Sequence, residues 1–188
     1  MPKIATVTIT GKSPLSFSRY YSLEEPKNPR ESHDDYEKRT WRKRMHTDVD
    51  GNVIIPPMAF KNMLEAVASR LSEKMKGKQT FGPRFRSGIM CTEPMPVGCK
   101  ADEALALWLH VPSDGKKGGK SRVMKCFPKI DKWGGTVSIH VLDDMINEDV
   151  FIRHMKEAGD FVGLGSFRPA NGGYFGRFDV NDVAWAAN

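Results

Sequence analysis

The chain is poor in cysteine, with Cys91, Cys99 and Cys126 the only three in 188 residues. An odd count without a C-x-x-C pair argues against both a disulfide framework and a zinc centre, and it fits a reducing, cytoplasmic setting. Apolar runs of membrane-spanning length are missing as well. The opening MPKIATVTIT has no basic start, apolar stretch and small-residue cleavage site in succession, so it does not read as a secretory leader. Acidic residues are the scarcer charge, 23 against 29 basic ones, giving a net charge of +6 and a pI near 9.2. That balance favours an anionic partner. No motif calls for a metal or an organic cofactor.

The basic residues cluster. Lys38 to Arg44, KRTWRKR, holds five in seven positions around Trp41. Arg70 to Arg86 adds six against Glu73, and Gly115 to Lys132 seven against Asp131. Basic stretches with embedded rings suit a strand of nucleic acid, since charge follows phosphates while rings stack on bases. The alternative is three solvated loops.

Two helices are legible. In IIPPMAFKNMLEAVASRLSEKM, Pro57 suits a first helical turn. Phe60, Met63, Leu64, Val67, Leu71 and Met75 recur at helical spacing, with Gly77 as the expected terminator. In NEDVFIRHMKEAG, Asn147 is the N-cap, Glu148 and Asp149 complement the helix dipole, and Gly159 is the expected stop. His154 beside its apolar stripe reads as a packed or surface residue. Alternation predicts strands in KIATVTITG, LALWLHV, TVSIHVL and YFGRFDV. Strand–helix–strand repeated twice is an α+β class, RRM-like (ferredoxin-like), with an antiparallel sheet and two packed helices. The whole of 1–188 reads as one domain, with a long insertion at 18–52 and a basic loop at 112–122.

Near the C-terminus, GLGSFRPANGGYFGRF (163–178) combines five glycines with Arg168, Arg177 and four aromatic rings. It suits a loop whose backbone approaches a polyanion, or a glycine-rich tight turn.

The stretch DVDGNVIIPPMAFKNMLEAVA (48–68) resembles the strand-to-helix motif of the RAMP superfamily of CRISPR proteins, keeping Gly51, Ile55, Pro56, Lys61 and Leu64. SPLSFS is similar to the loop after the family's first strand, and FVGLGSFRPANGGYFGRFDV to its glycine-rich loop and last strand. Pro57 and Met58 replace a Gly-Ser pair, and Asn62 replaces a further glycine. The resemblance is to the backbone, guide-RNA-binding subunit of effector complexes, or to a stand-alone phage or mobile-element relative. It implies non-catalytic binding of single-stranded nucleic acid, RNA foremost, with head-to-tail assembly into a filament along the strand and contacts to other effector subunits. Gly165 and Gly173 would admit the backbone, Arg168 and Arg177 would face phosphates, and Lys61 would add a cation near the helix N-terminus. The insertion would be a thumb-like hairpin bearing Tyr20, Tyr21, Tyr36, Arg39, Trp41, Arg42, Lys43 and Arg44. Other readings are a single-stranded DNA-binding protein, an effector-subunit mimic that acts against CRISPR, and a RAMP endoribonuclease. The last would use Asp34 and Asp35, or His33 and His46 as general bases.

Overall fold

The computed structural model describes residues 3–75, 77–113 and 121–187. Residues 114–120, the centre of the expected basic loop 112–122, lie outside them. In chain order the elements are β1 (Lys3–Gly11), β2 (Leu15–Ser16), α1 (His33–Thr40), a 3-10 turn (Trp41–Arg44), β3 (Asn52–Ile55) and α2 (Pro57–Leu71). There follow α3 (Gly82–Gly88), β4 (Ile89–Cys91), β5 (Met95–Lys100), β6 (Leu105–Pro112), β7 (Arg122–Ile130), β8 (Gly134–Val141), α4 (Glu148–Phe161), a second 3-10 turn (Pro169–Asn171) and β9 (Phe178–Ala187). The fold is mixed α+β with antiparallel sheets.

The central sheet runs β4-β8-β1-β9, and every neighbouring pair in it is antiparallel. One helical crossover, through α2, leads from β1 to β4; the other, through α4, leads from β8 to β9. Each skips one strand of the sheet. Period-two alternation places the core: Ala5, Val7 and Ile9 of β1 and Val137, Ile139 and Val141 of β8 are buried. The apolar faces of α2 (Phe60, Met63, Leu64, Val67) and α4 (Val150, Phe151, Met155, Ala158) join the same cluster. The opposite face of the sheet carries Thr6 across from Ser138 and Thr8 across from Thr136, with Ala184 and Asp182 alongside on β9.

Helix ends differ from the sequence expectation. The α2 helix stops at Leu71, where Ser72 takes a left-handed φ of 47° and its N–H closes onto Ala68, so Gly77 is not the terminator. The α4 helix begins as expected, the Asn147 side chain accepting from the Val150 N–H, but continues past Gly159 to Phe161. Gly159 lies inside the helix because a Cβ there would overlap the Phe178 carbonyl oxygen. His154 is fully buried and stacks on Phe85 at a centroid distance of 4.4 Å.

The insertion 18–52 is not a hairpin. Ser32 caps α1 by accepting from the Asp35 N–H, with Asp34 and Asp35 in the first turn and Lys38 and Arg39 in the last, a charge order that favours a helix. This helix and the following 3-10 turn pack on β7. Tyr21, Tyr36 and Trp41 are buried, while Tyr20 remains 72% exposed. Glu37, 2% exposed, accepts from Arg44 Nη2 with both oxygens at 2.9 Å. Its Oε2 also accepts from the Cys126 N–H, and Arg44 Nε donates to the Cys126 carbonyl, each at 2.9 Å. The pair therefore satisfies both backbone groups of a β7 residue that β2, pairing only with Ile130 and Lys129, does not reach. Rings of Tyr21 and Phe127 lie 5.2 and 4.9 Å from the guanidinium carbon. Burial, with Glu37 beside it, pushes the Cys126 thiol up to about 11, so this cysteine is an inert packing residue.

Candidate nucleic-acid interface

A groove of about 980 Å³ opens where the small β6–β7 sheet, the start of α2 and the glycine-rich loop meet. The segment after β2 contributes Phe17 and Arg19, the 3-10 turn Arg44, and the stretch before β3 His46. The start of α2 adds Pro56, Met58 and Asn62, and β7 adds Lys125 and Phe127, two residues apart and on one face of the strand. Gly165, Phe167, Arg168 and Gly173 close the far wall.

Among the described residues, four cationic side chains line this groove and no carboxylate does. Arg44 is neutralised by Glu37, and Arg19 pairs with Glu24. Among the described residues Lys125 and Arg168 have no ion partner, and the Arg168 Nε is buried without a hydrogen bond. The first turn of α2 carries no acid and Pro56 offers no side-chain cap, so the positive end of the helix dipole is uncompensated there. His46 is held below the ordinary imidazole range by burial first and Arg19 second, and is neutral at pH 7.

A second depression of about 580 Å³ shares Arg19, His46 and Pro56 with the first and extends it towards Arg42 and Lys43. Both are exposed, and the Arg42 guanidinium lies 4.2 Å from the Trp41 ring centroid.

Of the residues singled out in the sequence, the fold brings Arg44, His46, Gly165, Arg168 and Gly173 to the groove and Arg42 and Lys43 to its extension. It does not bring Lys61, Arg39, Trp41 or Arg177. Lys61 and Arg86 both bind Glu65, at 3.1 and 2.7 Å. Arg39 is held by Glu25 and Glu31, each at 2.6 Å. The Arg177 side chain donates to the Asp160 carbonyl at the end of α4, a favourable place for a cation, and its backbone N–H donates to Ser13 Oγ. His33 meets the Met124 carbonyl at 2.9 Å; neither it nor Asp34 nor Asp35 lines the groove.

The glycines of the loop serve its own packing. A Cβ at Gly165, where φ is +71°, would overlap the Ser16 carbonyl oxygen, and one at Gly173 would overlap that of Phe167. The Ser166 N–H then reaches Ser16 at 2.8 Å, pinning the loop to β2. Lys125, Arg19, Phe17 and Phe127 were not singled out, and Asn62 only as the replacement of a motif glycine. The period-two pair Lys125/Phe127 is a signal that could have been read; the others converge only through tertiary contacts.

The chain matches no protein-family model and no curated protein. Its fold is similar to that of solved CRISPR effector subunits at low identity. A chain of the type III-B Cmr-beta complex, determined by cryo-electron microscopy bound to cognate target RNA, superimposes with a TM-score of 0.56 at 14% identity, over 98% of this chain and 61% of that one. This chain thus spans about three fifths of that subunit's length. The crystal structure of Cmr6 from Pyrococcus furiosus gives a TM-score of 0.51 at 13% identity, over 96% of this chain and 99% of that one. Among the described residues, no helix is long and apolar enough to cross a membrane.

Proposed function

We propose that this protein binds single-stranded nucleic acid, RNA foremost, along the groove, through phosphate contacts and without chemistry of its own. The observation that carries the reading is the groove's charge. Among the described residues, Lys125 and Arg168 lack ion partners and no carboxylate lines the surface, and the α2 N-terminus opens beside them. A phosphate backbone is the polyanion such a surface fits. The similarity to a subunit of a complex bound to target RNA supports RNA over other polyanions. We read the central sheet and its two crossovers as an RRM-like sandwich and take the groove rather than the sheet's open face as the binding face, because that face carries Thr6, Thr8, Thr136 and Ser138 with His140, and Asp182 adds negative charge. Among the described residues of the groove His46 has no carboxylate beside it to complete an acid–base pair, which favours binding over cleavage. Contacts with further effector subunits and head-to-tail self-association along a strand extend the same reading.

The test is a titration of unrelated single-stranded RNA and DNA oligonucleotides across salt concentrations. Affinity is expected to fall with a log–log slope near −0.7 per phosphate contacted, more tightly for RNA than DNA, and RNA is expected to remain uncut. Binding insensitive to salt, or absent at low salt, overturns the reading.

A further inference from the structure

Two non-glycine residues among those described have positive φ, Ser72 and Phe167. Ser72 ends a helix, where a left-handed residue is commonplace. Phe167 has no such excuse. An aromatic L-residue at φ 55° is disfavoured by its own Cβ, so the surrounding structure must hold it there. Two features do. The Phe167 carbonyl accepts from the Phe175 N–H at 3.1 Å, and the missing side chain of Gly173 leaves room for that carbonyl.

The ring held in this way is not simply core. Phe127 and Phe175 are buried, whereas Phe167 is half-buried and lines the groove. Its ring meets Phe127 edge-on at 4.9 Å and Phe175 at 6.0 Å, so two buried rings brace it. The next residue is Arg168, one of two groove cations without an ion partner among the described residues, whose Nε is buried without a hydrogen bond. A braced, half-exposed ring adjoining a free guanidinium matches what one nucleotide presents, a flat base and a phosphate.

We propose that Phe167 forms a nucleobase-stacking subsite in the groove, with Arg168 taking the adjoining phosphate. The subsite rests on the nucleic-acid reading above and adds to it a specific contact to the base. It reads the presence of a base and not its identity, since every base offers a π-face.

The test compares binding of the full chain to single-stranded oligouridine and to an abasic strand of equal length and charge. Wild type is expected to prefer oligouridine by roughly 5- to 100-fold. Phe167→Leu, which keeps the bulk and the backbone strain but has no π-face, is expected to bind both strands equally, and Phe167→Trp to widen the preference. Should Phe167→Leu fail to fold by circular dichroism, the Trp variant decides: a wider preference upholds the subsite and an unchanged or narrower one overturns it. Equal binding of both strands by wild type, or an undiminished preference in folded Phe167→Leu, overturns the subsite while salt-dependent binding stands. Failure of wild type to bind either strand overturns the nucleic-acid reading, and the subsite with it.

Discussion

Residues 38–44 and residues 163–178 look alike on paper, each mixing arginine with aromatic rings, yet the fold gives them opposite work. In the first, Arg44 is neutralised by Glu37, Arg39 is held by Glu25 and Glu31, and Trp41 is core, which leaves Arg42 and Lys43 exposed at the groove's extension. In the second, Arg168 lacks an ion partner among the described residues and Phe167 is braced half-open on the groove. The difference lies in where the acids are. Glu25, Glu31 and Glu37 fold back onto Arg39 and Arg44, whereas among the described residues no carboxylate lines the groove. A basic stretch therefore signals an anionic partner only after its internal acids have been assigned.

The largest effect that could break this comparison is at Glu37. Glu37→Ala strands a buried arginine and leaves the Cys126 N–H without its acceptor, and is expected to cost about 3–5 kcal/mol in urea unfolding. A double change of Glu37→Leu with Arg44→Met is expected to recover only part of that, because the Cys126 N–H and carbonyl then both lack their partners. If Glu37→Ala instead leaves stability unchanged and alters oligonucleotide affinity, the insertion is a binding element and the contrast fails. Next comes the loop's side of the comparison. Lys125→Glu with Arg168→Glu is expected to weaken single-strand binding roughly a hundredfold, from the loss of two charge-assisted contacts, and to lower the salt slope by about 1.4. Its melting temperature should stay near wild type. Arg39→Glu under the same titration should bind as wild type does.

Gly173→Ala is expected to destabilise by about 1–3 kcal/mol, because the added methyl group collides with the carbonyl that holds Phe167; chemical denaturation measures it. Melting as wild type would mean that the loop relaxes freely. The smallest effect is in pH. Burial holds His154 and His46 below the ordinary histidine value, so the unfolded chain takes up protons that the folded one refuses. Their contribution is full above about pH 6.5 and declines as pH falls through and below that value. A melting series from pH 7.5 to 5 should show the decline, and His154→Leu should flatten part of it. A rise in stability towards acid would contradict the buried, neutral assignment.

Much of the central fold was legible from the chain. Alternation in KIATVTITG and TVSIHVL marked two adjacent strands and their buried sides, because one face of each packs on helices. The three- and four-residue spacing in α2 and α4, and the Asn147 cap, marked both crossovers for the same reason. Helix stops were less legible: Gly159 and Gly77 looked like terminators, but a glycine can equally serve a close approach, as Gly159 does against Phe178. The family resemblance implied a thumb-like hairpin for the insertion, although Ser32, Asp34, Asp35, Lys38 and Arg39 already spelled a capped helix.

The candidate site was legible only in part. Arg168, Gly165 and Gly173 were visible because composition singled out their loop. Lys125 sat unremarked in a basic stretch, and Phe17, Arg19 and Asn62 carried no local signal. By itself the sequence determined the α+β class, the two helical crossovers, the excess of positive charge and the presence of a glycine-rich loop, since these follow from local periodicity, caps and counting. Which cations remain free, where the groove lies and why Phe167 is strained were decided only by the tertiary structure. Glu37 and Arg44 are near in sequence, but their burial against Cys126, 89 and 82 positions away, and the meeting of β7, α2 and the loop depend on long-range contacts, which no local pattern encodes.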